Sequence, residues 1–177
     1  MHSLIDRMMR AARLDANLYE EVEADRLTMH QATTVVLLSS LAAGIGNAAT
    51  GGLGGIVLLT IGAFIGWYIW AYMTYFIGTR LLPEPQTEAD LGQLLRTIGF
   101  SSSPGLIRIL AVIPPLKAVV FVGASMWMLV AMVIAVRQAL DYSSTWRALG
   151  VCAIGWLIQA GVLLAIFAAA GGPDPHS

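Results

Sequence analysis

Arg108 lies inside the apolar stretch Leu106 to Ile113. An ionisable side chain in such a segment is a candidate functional group by default, because a charge held in a membrane is costly unless something uses it. The competing reading is an arginine near the start of a short helix whose head snorkels to the headgroups; its place near that start favours this second reading. Gln159, in the charge-free stretch Ala148 to Ala170, is the other candidate intramembrane polar site. An amide there is more often a helix–helix hydrogen bond than a ligand contact. No residue set calls for bond-making chemistry. His2, His30 and His176 have no metal-ligand spacing. Cys152 stands alone, so neither an internal disulfide nor a cysteine metal cluster can form. The glycines between Gly44 and Gly55 have no lysine after them and read as a turn, not a phosphate cradle. No Gly-x-Ser-x-Gly elbow occurs, and the apolar stretches hold no acid pair or Ser/His pair for intramembrane proteolysis. The expectation is a non-enzyme with no catalytic residue, cofactor or metal.

The elements that must position Arg108 and Gln159 are membrane helices. From Leu27 to Thr79 there is not one Asp, Glu, Lys or Arg, and a single span needs only roughly 20 apolar residues. The glycines and Asn47 in the middle of this run break it into a helical hairpin. Of the 177 residues, 57% are hydrophobic and 12% charged, against about 25% charged in ordinary globular domains. A net charge of −1 offers no field for nucleic acid. The first 26 residues mix Arg7, Arg10 and Arg13 with acids and lack the basic-then-apolar order of a secretory signal.

The expected fold is all-α: a polytopic transmembrane helical bundle of about five spans, with a short broken third helix and an N-terminal amphipathic helix. Residues 1–26 form the amphipathic arm, 27–170 the transmembrane domain and 171–177 a disordered tail. Leu4, Ile5, Met8, Met9 and Ala12 share a helix face, suiting either an interfacial helix or an arm packed on the bundle. The acids from Glu20 to Asp25 read as a solvated face. The first span, His30 to Ala49, carries hydroxyls that can bond back to its own backbone. The second, Gly55 to Leu82, carries Gly62 and Gly66 in a GxxxG spacing, and Thr74 and Gly78 continue the same i+4 row. This row is the candidate helix–helix interface, because small residues let a neighbouring helix approach. That neighbour lies in the same chain or in a second copy, with internal packing favoured. Trp67 is too deep for an interfacial belt and packs between helices.

Thr87 is the expected N-cap of the next helix. The third crossing is broken at Ser101 to Gly105 and closed by Pro114-Pro115. Ala118 to Val136 and Ala148 to Ala170 complete the count. With five spans and a cytoplasmic N-terminus, Arg7, Arg10, Arg13, Arg26, Arg80, Arg96, Arg137 and Arg147 lie inside and only Lys117 outside, a strong positive-inside asymmetry. Four spans would put Arg137 and Arg147 outside.

Several segments occur in a definite order: Tyr19 to Asp25, a glycine-turned hairpin, Gly66-Trp67-Tyr68-Ile69-Trp70, then Tyr75 to Leu81. Leu94 to Phe100, Ser103-Pro104-Gly105-Leu106, Ile113-Pro114, Trp127, Ala135 to Asp141 and Thr145 to Ala148 follow. This set resembles a bacterial member of the Yip1 family over about residues 15 to 165. The resemblance implies a five-helix membrane domain; in eukaryotes the family is linked to vesicle trafficking, small Rab GTPases and membrane shaping. The sequence lacks the long cytosolic arm and Asp-Leu-Tyr-Gly-Pro motif of those relatives, so a Rab-type partner is not expected. The expected function is a non-enzymatic membrane scaffold or adaptor in the bacterial plasma membrane. Its partners would be the lipid bilayer and either a second copy or another membrane protein. The alternative is a small transporter or channel component that uses the broken third helix and Arg108.

Overall fold

The computed structural model describes residues 3–169 of the chain, without the side chains of residues 48–51, 163 and 166–169. His2, His176 and the expected tail 171–177 lie outside the described residues. Those described are helical throughout, apart from the connections, and contain no strand. Two helices, Leu4–Ala12 (α1) and Ala16–Ala24 (α2), precede a 3₁₀ turn at Arg26–Thr28. Met29–Gly46 (α3) and Ala48–Phe76 (α4) form the hairpin, and α4 ends in a π turn at Ile77–Leu81. Leu91–Ser101 (α5) continues as a 3₁₀ segment at Ser103–Val112. Lys117–Ala139 (α6) and Thr145–Ala169 (α7) complete the bundle.

Local chemistry explains these boundaries. The Ser3 and Asp15 side chains cap α1 and α2 by accepting from Asp6 N and Asn17 N. In α3, the Thr33 and Thr34 hydroxyls donate to the carbonyls of Met29 and His30 at 2.9 and 2.8 Å, so each satisfies itself within the helix. The hairpin turns at Gly52, whose φ of 56° belongs to the left-handed region that glycine enters without a Cβ penalty. The N-cap of α5 is Asp90, not Thr87. Asp90 and Gln93 form a reciprocal capping box, and the Thr87 hydroxyl instead accepts from Glu84 N at 3.0 Å. The third element breaks where Pro104 enters, and Pro114 begins the short turn that leads into α6.

Among the described residues, two helical stretches are long and apolar enough to cross a membrane, Gly52–Leu81 and Pro114–Ala139. The first buries none of its apolar window within the bundle. Leu53, Leu58 and Ile65 point outward from it, a face that water would penalise and lipid would not.

The core gathers at one end of the bundle. Ile77, Leu94, Val136, Leu140 and Val151 are buried together from α4, α5, α6 and α7. Beside them Leu18, Tyr19 and Val22 of α2 pack on Val35, Phe100 and Ala135. The Tyr142 hydroxyl donates within reach of both the Gly78 and Leu82 carbonyls, at 3.1 and 2.8 Å. It thereby secures backbone acceptors that the π turn leaves open.

Candidate functional site

Two polar regions emerge, and they differ in how their charges are met. The first is the well-packed end. Arg7 on α1 is buried; its Nε donates to Glu21 at 2.9 Å and its Nη1 to Gln31 at 2.9 Å. Arg10 pairs with Asp15 at 2.8 Å and Glu21 at 2.6 Å. Glu21 and Asp25 therefore receive α1, while Glu20 is exposed and accepts from Gln138. Arg7 and Ala11 face inward, Leu4 and Met8 pack on the core, and Ile5 stays 67% exposed. The flanking guanidinium groups hold the Glu21 carboxyl below its usual range despite its partial burial, and the Arg10 hydrogen bond does the same for Asp15. Arg96 on α5 is buried and donates from Nε to Val22 O at 2.9 Å and from Nη2 to Glu23 O. Glu84, in the loop before α5, accepts from Ser143 N and Oγ at 3.0 and 2.7 Å and meets Arg147 at 3.1 Å. Those Ser143 bonds hold its carboxyl low. Glu23 differs: desolvation, aided by Asp141, pushes it up to about 7.

The second region is a cleft of about 510 Å³ at mid-height of the bundle. It brings Arg108 and Gln159 together. Ser39 and Ser40 line it from α3, Gly62, Gly66 and Trp70 from α4, and Ser102 from the break in the third element. A smaller depression that shares Arg108, Trp70 and Gln159 continues it toward α6. Arg108 does not snorkel freely. Its Nη2 donates to Ser125 Oγ at 3.0 Å, and its Cζ lies 5.7 Å from the Phe121 ring centroid. Its Nε is buried and has no acceptor among the described residues. No described carboxylate stands within ion-pair distance of it. Trp70 Nε1 is likewise buried and unpaired, whereas Trp67 Nε1, one helical turn away, donates to Leu95 O at 3.0 Å.

The small-residue row of α4 splits between the two regions. Thr74 is buried, and a Cβ on Gly78 would collide with the Leu140 side chain. Gly62 and Gly66 are exposed, and a Cβ on either would meet nothing within 4 Å. Packing inside the chain thus occupies only half of this row; the other half forms an open wall of the cleft. Trp70 was not singled out from the sequence as a polar site, although it completes the i+4 row from Gly62 to Gly78. The cleft has donors and one cation but no nucleophile–base pair. Among the described residues no three His, Cys, Asp or Glu could share a metal ion. It can hold an acceptor or an anion.

No curated protein and no solved structure matches the chain. A family model described as the Yip1 domain matches residues 24–167, from the end of α2 into the last turns of α7. That match takes in both apolar helices and every wall of the cleft, and with those helices it points to a membrane protein. The chain belongs to the Yip1 domain family.

Proposed function

We propose that this protein is a non-catalytic membrane scaffold that engages an occupant from within the bilayer at its mid-height cleft. In this reading α3, α4, the broken α5 element, α6 and α7 are five spans, and the N-terminus lies in the cytoplasm of a bacterial cell. The arginines flanking the spans, with Lys117 alone on the far side, support that orientation. The exposed apolar edge of α1 at Ile5 and Met9 then rests in the inner interface. One observation carries the reading: the cleft opens sideways at Gly62 and Gly66, where no described residue lies within 4 Å of an added Cβ. The test is the native mass of the protein in mild detergent. Wild type is expected to retain a stoichiometric component that Gly62→Leu and Gly66→Leu both lose. Identical masses for all three proteins would overturn the scaffold reading.

The second reading, a small transporter, draws on the break at Ser102 to Gly105 beside the unneutralised Arg108. Irregular backbone at membrane depth is tolerated where it lines a cavity. It predicts a solute flux in proteoliposomes that Arg108→Ala abolishes. A flux indifferent to that change, or none, rejects it.

A further inference from the structure

We propose that the cleft is a binding site for the anionic head of a membrane lipid, which enters between Gly62 and Gly66 and pairs with Arg108. The inference rests on the reading of the cleft as the place where an intramembrane occupant engages, and it names that occupant.

Depth comes first. Ser125, the hydrogen-bond partner of Arg108, lies eight residues along α6 from Lys117, or about 12 Å at 1.5 Å per residue. Across a hydrocarbon core of about 30 Å, that sets the guanidinium near the middle. A cation there is costly unless it is paired, and the described residues do little to offset it. A serine hydroxyl and the face of Phe121 are its only close partners among the described residues, and neither carries charge. Arg96, on the same broken element, is instead held by two backbone carbonyls. Arg108 Nε and Trp70 Nε1 are buried without acceptors among the described residues, so the chain itself leaves this cation poorly met. An occupant that carries negative charge supplies the counter-charge that the cleft side of the guanidinium lacks.

The route of access narrows the class. The opening at Gly62 and Gly66 is flanked by the exposed apolar side chains of Leu58 and Ile65, so an occupant arrives from the hydrocarbon region and not from water. An apolar partner helix seated there would leave the arginine and both N–H groups dry and unpaired. A zwitterionic lipid would bring a second cation to a site with no described carboxylate. An anionic lipid fits both halves. Its head meets Arg108 and the rim amide of Gln159, while its chains leave sideways between the glycines. The volume of the cleft is within the range of small-ligand sites, about 300–1,000 Å³.

The experiment uses the full-length protein, delipidated and returned to mixed micelles containing phosphatidylglycerol or phosphatidylcholine, with native mass spectrometry as the readout. Wild type is expected to retain one phosphatidylglycerol, at least about ten-fold over phosphatidylcholine. Arg108→Gln should remove that preference and Arg108→Lys should restore part of it. Gly66→Phe leaves the arginine untouched and fills open space, so it guards against a misfolded Arg108→Gln; it should lower retention by obstructing the opening. Equal retention of the two lipids overturns the inference, as does selective retention unaffected by both Arg108→Gln and Gly66→Phe. Displacement of phosphatidylglycerol by millimolar sodium phosphate would make the ligand a soluble anion and overturn the lipid assignment. A dimer mass that depends on Gly66 and is indifferent to lipid would overturn the lipid while leaving the scaffold reading in place. Neither lipid retained would overturn the lipid assignment, and the native mass of the protein before delipidation then decides the scaffold reading.

Discussion

The broken third element carries two arginines with opposite circumstances. Arg96, on its α-helical half, donates to the backbone carbonyls of Val22 and Glu23 and sits in a core sealed by α2. Arg108, on its 3₁₀ half, has one serine, one aromatic face and a buried N–H with no acceptor among the described residues. The first end is built like the interior of a soluble protein, with ion pairs and carbonyl bonds meeting Arg7, Arg10, Glu21, Glu84 and Arg96, although the Tyr19 hydroxyl is buried there without a partner among the described residues. The mid-height cleft leaves donors unmet beside an open wall. Polar groups left unpaired at depth mark where a molecule is expected to receive something. The ion-paired end serves as the frame that holds those groups in place.

That contrast can be broken most sharply within one helix. Gly78→Leu should destabilise the protein by about 3 kcal/mol, because the new side chain meets Leu140 in a packed core. Thermal unfolding in detergent reads the effect; a melting temperature equal to wild type would mean that the row is not packed at this level. Next in size, Arg7→Ala should release α1 at a cost of about 2 kcal/mol, because it leaves Gln31 without its donor and Glu21 with Arg10 alone. Hydrogen exchange should rise across residues 4–12 while α6 stays protected, and unchanged protection of α1 would remove the ion pairs from the account.

The pH dependence should be smaller. Glu23 has a folded pKa of about 7, above the usual carboxyl value of 4.5. The folded state therefore binds the extra proton, and stability is lost as pH rises from about 4.5 through 7. Glu21 and Asp15 shift the other way and lose their contribution only at acid pH. The melting temperature should fall between pH 5 and pH 8, and Glu23→Gln should flatten that slope. A slope that persists in the variant assigns it to another group. The smallest effect on stability belongs to Gly66→Leu, expected within about 0.5 kcal/mol of wild type or slightly stabilising, since it adds helix propensity into open space. A large loss there would show the cleft wall to be closed.

Much of this could be read from the residues in order. The charge-free run from Leu27 to Thr79 with its glycine turn became α3 and α4, hinged at the left-handed Gly52. The prolines at 104 and 114 delimit the 3₁₀ segment. Trp67 packs between helices as its depth implied, with its indole N–H on Leu95 O. The α5 cap was misplaced by three residues, because Thr87 and Asp90 are both good caps and only Gln93, positioned to complete the box, favours the second. The acids from Glu20 to Asp25 read as a solvated face because their partners, Arg7 and Arg10, are brought over them by the turn at Leu14, which has a positive φ. A block of arginines followed by a block of acids was the signal that could have suggested it.

Periodicity, hydropathy and punctuation act over a few residues, and by themselves they determined that the chain is helical and where its charge-free run turns, while the ordered set of segments carried the resemblance to the family. Whether a small-residue stripe is covered or bare depends on neighbours far along the chain. Only the tertiary structure could bury Thr74 and Gly78 against α6 and its following loop while leaving Gly62 and Gly66 open. The same holds for the cleft: Arg108 and Gln159 are 51 positions apart, and no local rule places them on one cavity. They line one cleft because side chains from five elements, α3, α4, the broken α5 element, α6 and α7, surround a space that they do not fill.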